Sequence, residues 1–143
     1  MKERGFVAKR SITVNAAPAK VWNALTNPDM IKQYLFGTQV TSDWKVGSSI
    51  RYQGTWEGKS YEDKGEILQL IPEHIFQSTY WSSMSGTEDK PENYATVTYE
   101  IESRPDSVLL TITQDNNHTD ETRKHSENNW GMVLETIKKI LEK

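Results

Sequence analysis

The stretch from Thr119 to Glu142 constrains the fold more than any other, because it alone is long and periodic enough for a full amphipathic helix. Trp130, Val133, Leu134, Ile137 and Leu141 recur at offsets of three, four and seven and so share one helical face. Glu135, Thr136, Lys138, Lys139 and Glu142 fill the opposite face. Thr119 suits the N-cap, Asp120 and Glu121 place negative charge at the positive end of the helix dipole, and Lys138, Lys139 and Lys143 place positive charge at the other end. A helix with one apolar stripe needs a partner surface, and the preceding sequence reads mostly as strands.

The strand pattern begins at Phe6–Val14. Pro18 then starts a short helix carrying Val21, Trp22 and Leu25, since its fixed φ suits the first helical turn. Asn27-Pro28 breaks that helix, and a second short one follows over Asp29–Tyr34. From there the period is two. Strands are expected at Gln39–Asp43, Ser49–Trp56, Tyr61–Ile71, His74–Ser82, Tyr94–Glu102 and Ser107–Gln114. Turns are expected at Val46-Gly47-Ser48, Glu57-Gly58-Lys59, Pro72-Glu73 and Arg104-Pro105-Asp106, with a longer polar loop over Met84–Asn93. Gly54 lies on the face shared by Ile50, Tyr52 and Trp56, which marks a bulge or a close approach to the backbone. The order is strand, two short helices, about six antiparallel strands and a long helix. It predicts an α+β fold in which a curved antiparallel sheet of six to seven strands wraps the C-terminal helix, the short helices propping one end open. The space left between sheet and helix is the expected cavity.

At 143 residues the chain matches the size of one domain, 1–143. The net charge of −3 offers no basic stripe for a phosphate backbone, so nucleic acid is not an expected partner. The absence of cysteine excludes disulfides, thiolate nucleophiles and thiolate metal sites, and fits a reducing compartment. No apolar run approaches the length of a membrane span or a signal peptide, so the expectation is a cytoplasmic protein without membrane insertion.

The block Ile12-Thr13-Val14-Asn15-Ala16-Ala17-Pro18-Ala19-Lys20-Val21-Trp22-Asn23-Ala24-Leu25-Thr26 resembles the opening of the activator of Hsp-90 ATPase homologue-like family, within the START/Bet v 1-like (SRPBCC) superfamily. Ser42–Ser48, Gly65–Pro72 and Asn129–Leu134 resemble its later blocks, in the same order. The resemblance implies a helix-grip fold with an apolar cavity. It also implies two kinds of partner: a small hydrophobic molecule in the cavity, or a chaperone or other protein. Related folds host cyclases, which adds an enzyme as a third possibility.

The residues themselves favour a binding module over an enzyme. No phosphate-cradling glycine loop or other cofactor motif is present, and no cofactor is expected. His118, Glu121 and His125 have helical spacing but sit in a polar first turn, so they are expected to be a solvated face and not a metal site. Glu66, Glu100 and Glu102 alternate with apolar neighbours and are expected outside; Asp63 and Glu57, the other candidates at a cavity mouth, are expected to be turn and edge charges. No catalytic residue is assigned. The aromatic set is the better lead, with five Trp and six Tyr. Tyr52, Trp56, Phe76, Tyr80 and Tyr99 are expected to face the helix residues Trp130, Val133, Leu134 and Ile137, with Tyr34 and Phe36 closing one end. Ligand cavities are lined mainly by such apolar groups, with a few polar ones placed among them.

Overall fold

The computed structural model describes residues 5–83 and 85–142, without the side chain of Trp56. The elements follow the expected order. β1 (Phe6–Val14) leads into α1 (Pro18–Thr26) and α2 (Pro28–Tyr34), followed by β2 (Gln39–Ser42), β3 (Ser49–Trp56), β4 (Lys59–Ile71), β5 (Ile75–Ser82), β6 (Ala95–Ser103), β7 (Val108–Asn117) and α3 (Asp120–Leu141). The strands form one antiparallel sheet in the order β1-β7-β6-β5-β4-β3-β2. Within the Met84–Asn93 loop, Pro91–Asn93 forms a short 3-10 turn.

Local chemistry explains the boundaries. Pro18 and Pro28 each begin a helix, and Asn27 ends α1 while its side-chain oxygen accepts from the Asp29 amide at 3.0 Å to cap α2. Glu57 and Gly58 both take positive φ, 49° and 79°, between the paired residues Trp56 and Lys59. That is the two-residue hairpin geometry whose twist matches the flanking strands. β4 is the longest strand, and its register against β5 shifts between Ile67 and Gln69. Such a bulge bends a sheet.

α3 begins as its sequence predicts, Thr119 accepting from the Thr122 amide at 3.0 Å. Its buried residues are Gly131, Val133, Leu134 and Ile137. They join a core with Val14, Val21, Leu25, Val97, Leu110 and Ile112 from the sheet and first helix. Polar clips fix the helix along β1 and β7. At its end, Glu142 accepts from the Asn15 amide at 2.7 Å, and Lys138 donates to the Thr13 carbonyl at 2.8 Å. Nearer its start, Ser126 donates to Asn117 at 2.8 Å, and Arg10 reaches the Glu127 carbonyl at 3.4 Å. The first half of α3 is thus anchored by polar contacts and does not sink into the apolar core. No helix among the described residues is long and apolar enough to cross a membrane.

Candidate ligand cavity

A cavity of about 580 Å³ lies between the concave sheet face and α3. Strand alternation assembles its floor. Tyr52 comes from β3, Tyr61 and Asp63 from β4, Ser78, Tyr80 and Ser82 from β5, Val97 and Tyr99 from β6, and Gln114 from β7, while Thr55, out of phase with Tyr52, edges the cavity beside the β3–β4 turn. α3 supplies Ser126, Asn129, Trp130, Met132 and Val133 as the roof, and Leu35, Phe36 and Thr38 close the end beside α2. The mouth is apolar and open: Phe36 is 69% exposed and Met132 54%.

Rings order the apolar half. Tyr99 stacks on Phe76 with centroids 5.4 Å apart and meets Trp130 edge-on at 6.0 Å. The Trp130 indole donates to the Gln114 side-chain oxygen at 2.8 Å, which fixes the ring's orientation at the roof. Tyr61 lies over Gly54, its partner in register, where a Cβ would come within 2.4 Å of its hydroxyl. The same hydroxyl shares a 2.5 Å hydrogen bond with Thr38, tying the cavity floor to the segment after α2. The glycine therefore marks a close approach to the backbone, and the group that approaches is a wall of the cavity.

The polar half centres on Asp63. It pairs with Tyr52 on one side and Ser82 on the other, so its side chain stands on the concave face. Tyr80 donates to its Oδ2 at 2.5 Å. Its Oδ1 is buried with no hydrogen-bond partner, and it is the only such side-chain atom among the described residues. Burial raises the Tyr80 hydroxyl well above the usual phenol range, and the adjacent Asp63 carboxylate raises it further. Burial also pushes up Tyr52, against a hydrogen bond with Ser78, and Tyr99. All three remain neutral phenols able to donate.

Six of the residues singled out from sequence stand in the cavity wall: Phe36, Tyr52, Tyr80, Tyr99, Trp130 and Val133. Tyr34, Phe76, Leu134 and Ile137 lie behind it in the core, where the Tyr34 hydroxyl donates to the Ala24 carbonyl at 2.8 Å and joins the two short helices. The side chain of Trp56 lies outside the described residues. Asp63 corrects the expectation of an edge charge, since it is 9% exposed and inside, whereas Glu57 is exposed at its turn. Its place was readable from phase, because Tyr61, Asp63 and Gly65 alternate in step with the buried Ile67. Ser78 and Ser82 likewise follow the phase of Phe76 and Tyr80. His118, Glu121 and His125 are exposed, and no group of three or more potential metal ligands occurs among the described residues.

A curved seven-stranded antiparallel sheet gripping a long final helix, with two short helices after the first strand, defines the helix-grip class. The chain belongs to the family of activator of Hsp90 ATPase homolog 1-like proteins, whose family model matches residues 15–142. It is similar to the protein ChR145 from Cytophaga hutchinsonii, known from a solution structure, at 47% identity and a TM-score of 0.86, over 99% of this chain and 97% of that one. The Aha1 dimer from Colwellia psychrerythraea shares the fold at 20% identity and a TM-score of 0.74, over 96% of both chains. So does DynU16, a protein in the dynemicin biosynthetic locus, at 15% identity and a TM-score of 0.79, over 95% of this chain and 47% of that one. No curated protein matches the chain.

Proposed function

We propose that the protein binds a small hydrophobic molecule, lipid-like or of the flavonoid or aromatic polyketide kind, in the cavity between the sheet and α3. The observation that carries this reading is a cavity of about 580 Å³ walled by aromatic rings. That volume falls within the range of roughly 300–1,000 Å³ typical of small-molecule sites. An apolar rim at Phe36 and Met132 suits the entry of an apolar guest. Burial of the guest would supply most of the affinity, and the neutral tyrosine hydroxyls would orient it. DynU16, which shares the fold, comes from the dynemicin biosynthetic locus, and this supports a small-molecule guest. The alternative, an interaction module for a chaperone or another protein, follows from the family's name and is separated by the same experiment.

The test is a thermal-shift screen against flavonoids, fatty acids, sterols and polyketide-like aromatics. A ligand at a hundred times its dissociation constant stabilises the fold by about 2.7 kcal/mol, which raises Tm by roughly 8 °C for a chain of this size. Tyr99→Ala or Trp130→Ala is expected to abolish the shift. No shift with any class refutes the cavity reading and turns attention to protein partners.

A further inference from the structure

We propose that the floor of the cavity is an ammonium subsite, in which the Asp63 carboxylate, flanked by the rings of Tyr52 and Tyr80, takes the protonated amine of an otherwise apolar ligand. This rests on the cavity-binding reading and narrows its ligand class.

Three observations combine. First, Asp63 is the only ionisable acid or base among the described cavity residues apart from the tyrosines, and no Lys, Arg or His lines the wall. Lys64, next in sequence, points to the opposite sheet face and pairs there with Asp89 at 2.5 Å. A carboxylate removed from water without a counterion is costly, and a bound cation removes that cost. Second, the two oxygens are used unequally. Oδ2 accepts from Tyr80, whereas Oδ1 is buried with no donor among the described residues. A carboxylate serving only to brace the sheet would have both oxygens satisfied. Third, aromatic rings surround it. Tyr52 is its register partner, and the Tyr52 and Tyr80 centroids are 5.9 Å apart at a steep angle. Tyr80 presents its hydroxyl to the carboxylate, and a cation held there would gain from the ring quadrupole wherever a face is turned to it.

The arrangement discriminates among guests. An alcohol at the carboxylate would leave its charge uncompensated. A carboxylic acid would be repelled as its anion, so free fatty acids are disfavoured.

Three probes of matched shape decide it by isothermal titration calorimetry on the full chain: naphthylmethylamine, naphthylmethanol and naphthoate. The amine is expected to bind roughly tenfold or more tighter than the alcohol, the scale of a charge-assisted hydrogen bond, and naphthoate weakest. Asp63→Asn is expected to bring the amine down to the alcohol. Glu62→Gln, which alters a carboxylate on the outer face of the same strand, is expected to leave the preference intact. If alcohol and amine bind equally, the cavity reading stands and the ammonium subsite falls. If none of the three binds, the ammonium subsite falls, and the cavity reading is decided by the wider thermal-shift screen. The wild-type comparison holds even if Asp63→Asn fails to fold.

Discussion

Replacing Gly65 by alanine tests how tightly β4 and β5 approach where the sheet bends. A Cβ at Gly65 would lie 1.7 Å from the Thr79 carbonyl oxygen and 2.6 Å from its carbon, both backbone atoms of β5. No rotamer relieves such a clash; the strands must part between the flanking pairs Lys64–Trp81 and Ile67–Ser78. Overpacking costs about 1–3 kcal/mol, and a lost hydrogen bond adds about 1, as at the Glu66 amide, which donates to the Thr79 hydroxyl at 2.9 Å. The reduced entropy of the unfolded chain returns about 0.4–1 kcal/mol. A backbone contact at 1.7 Å belongs at the top of the overpacking range, so the net is a loss of about 3 kcal/mol. With an unfolding entropy of about 2.1 cal/mol/K per residue, Tm should fall by roughly 10 °C.

Two other glycines calibrate that figure. At Gly54 the obstacle is the end of the Tyr61 side chain, so Gly54→Ala should displace the ring, break its bond to Thr38 and cost about 1 kcal/mol. At Gly131 the nearest atoms belong to the Arg10 guanidinium, at 2.9 Å. That group can move, and alanine favours the helix by up to about 1 kcal/mol, so Gly131→Ala should be neutral or stabilising. Differential scanning calorimetry of the three variants should rank them Gly65, Gly54, Gly131 from most to least harmful. A Tm loss at Gly65 no larger than that at Gly54 would refute the claim that the backbones touch.

Tyr34→Phe should cost about 1 kcal/mol by deleting the buried bond to Ala24, measured by urea denaturation. It should leave the affinity of a cavity ligand within about twofold, because Tyr34 stands behind the wall; a larger loss would mean that the boundary between core and cavity is misplaced. Glu142 is held below the ordinary carboxylate range first by the Asn15 amide and then by Lys138. A depressed folded-state value means that its contribution is present above the unfolded value, about 4.3, and is lost as pH falls through the folded one. The Tm gap between the wild type and Glu142→Gln should therefore be positive at neutral pH and close towards pH 3. A gap that persists in acid would show that charge is not its cause.

The sequence made the architecture legible where periodicity was unbroken. α3, the β6–β7 hairpin and the proline-led start of α1 all follow from local patterns, and Pro28, read as a break, also begins α2. The cavity was legible only in its apolar half. Tyr52, Tyr80, Tyr99 and Trp130 announce themselves by size, but Ser78 and Ser82 are small, polar residues that alternation alone places inside. Asp63 lies in the run Tyr61–Glu66, where polar residues occupy both faces and the contrast between inside and outside disappears. Its inward phase shows only when counted back from Ile67. Nor did the pattern separate rings that line a cavity from rings that fill a core. Phe76 and Tyr99 stack on one another, yet only Tyr99 reaches the open space. That division depends on how far α3 stands from the sheet, which no local pattern encodes.

The pairing of β1 with β7 sets an order of events during synthesis. Ala8 finds its partner at Gln114, and Val14 finds its own at Val108. Until β7 has left the ribosome, β1 has no neighbour, and α1 and α2 lack the completed sheet and α3 against which to bury Val21, Leu25 and Ile31. β3, β4 and β5 can pair in succession through short turns, so the middle of the chain can organise while its beginning waits. Closing a loop of this length carries its entropic cost before any contact offsets it. The nascent chain thus exposes an edge strand and two short amphipathic helices for most of its translation. In that interval the unpaired strand edge and the apolar helix faces are the surfaces open to misassociation.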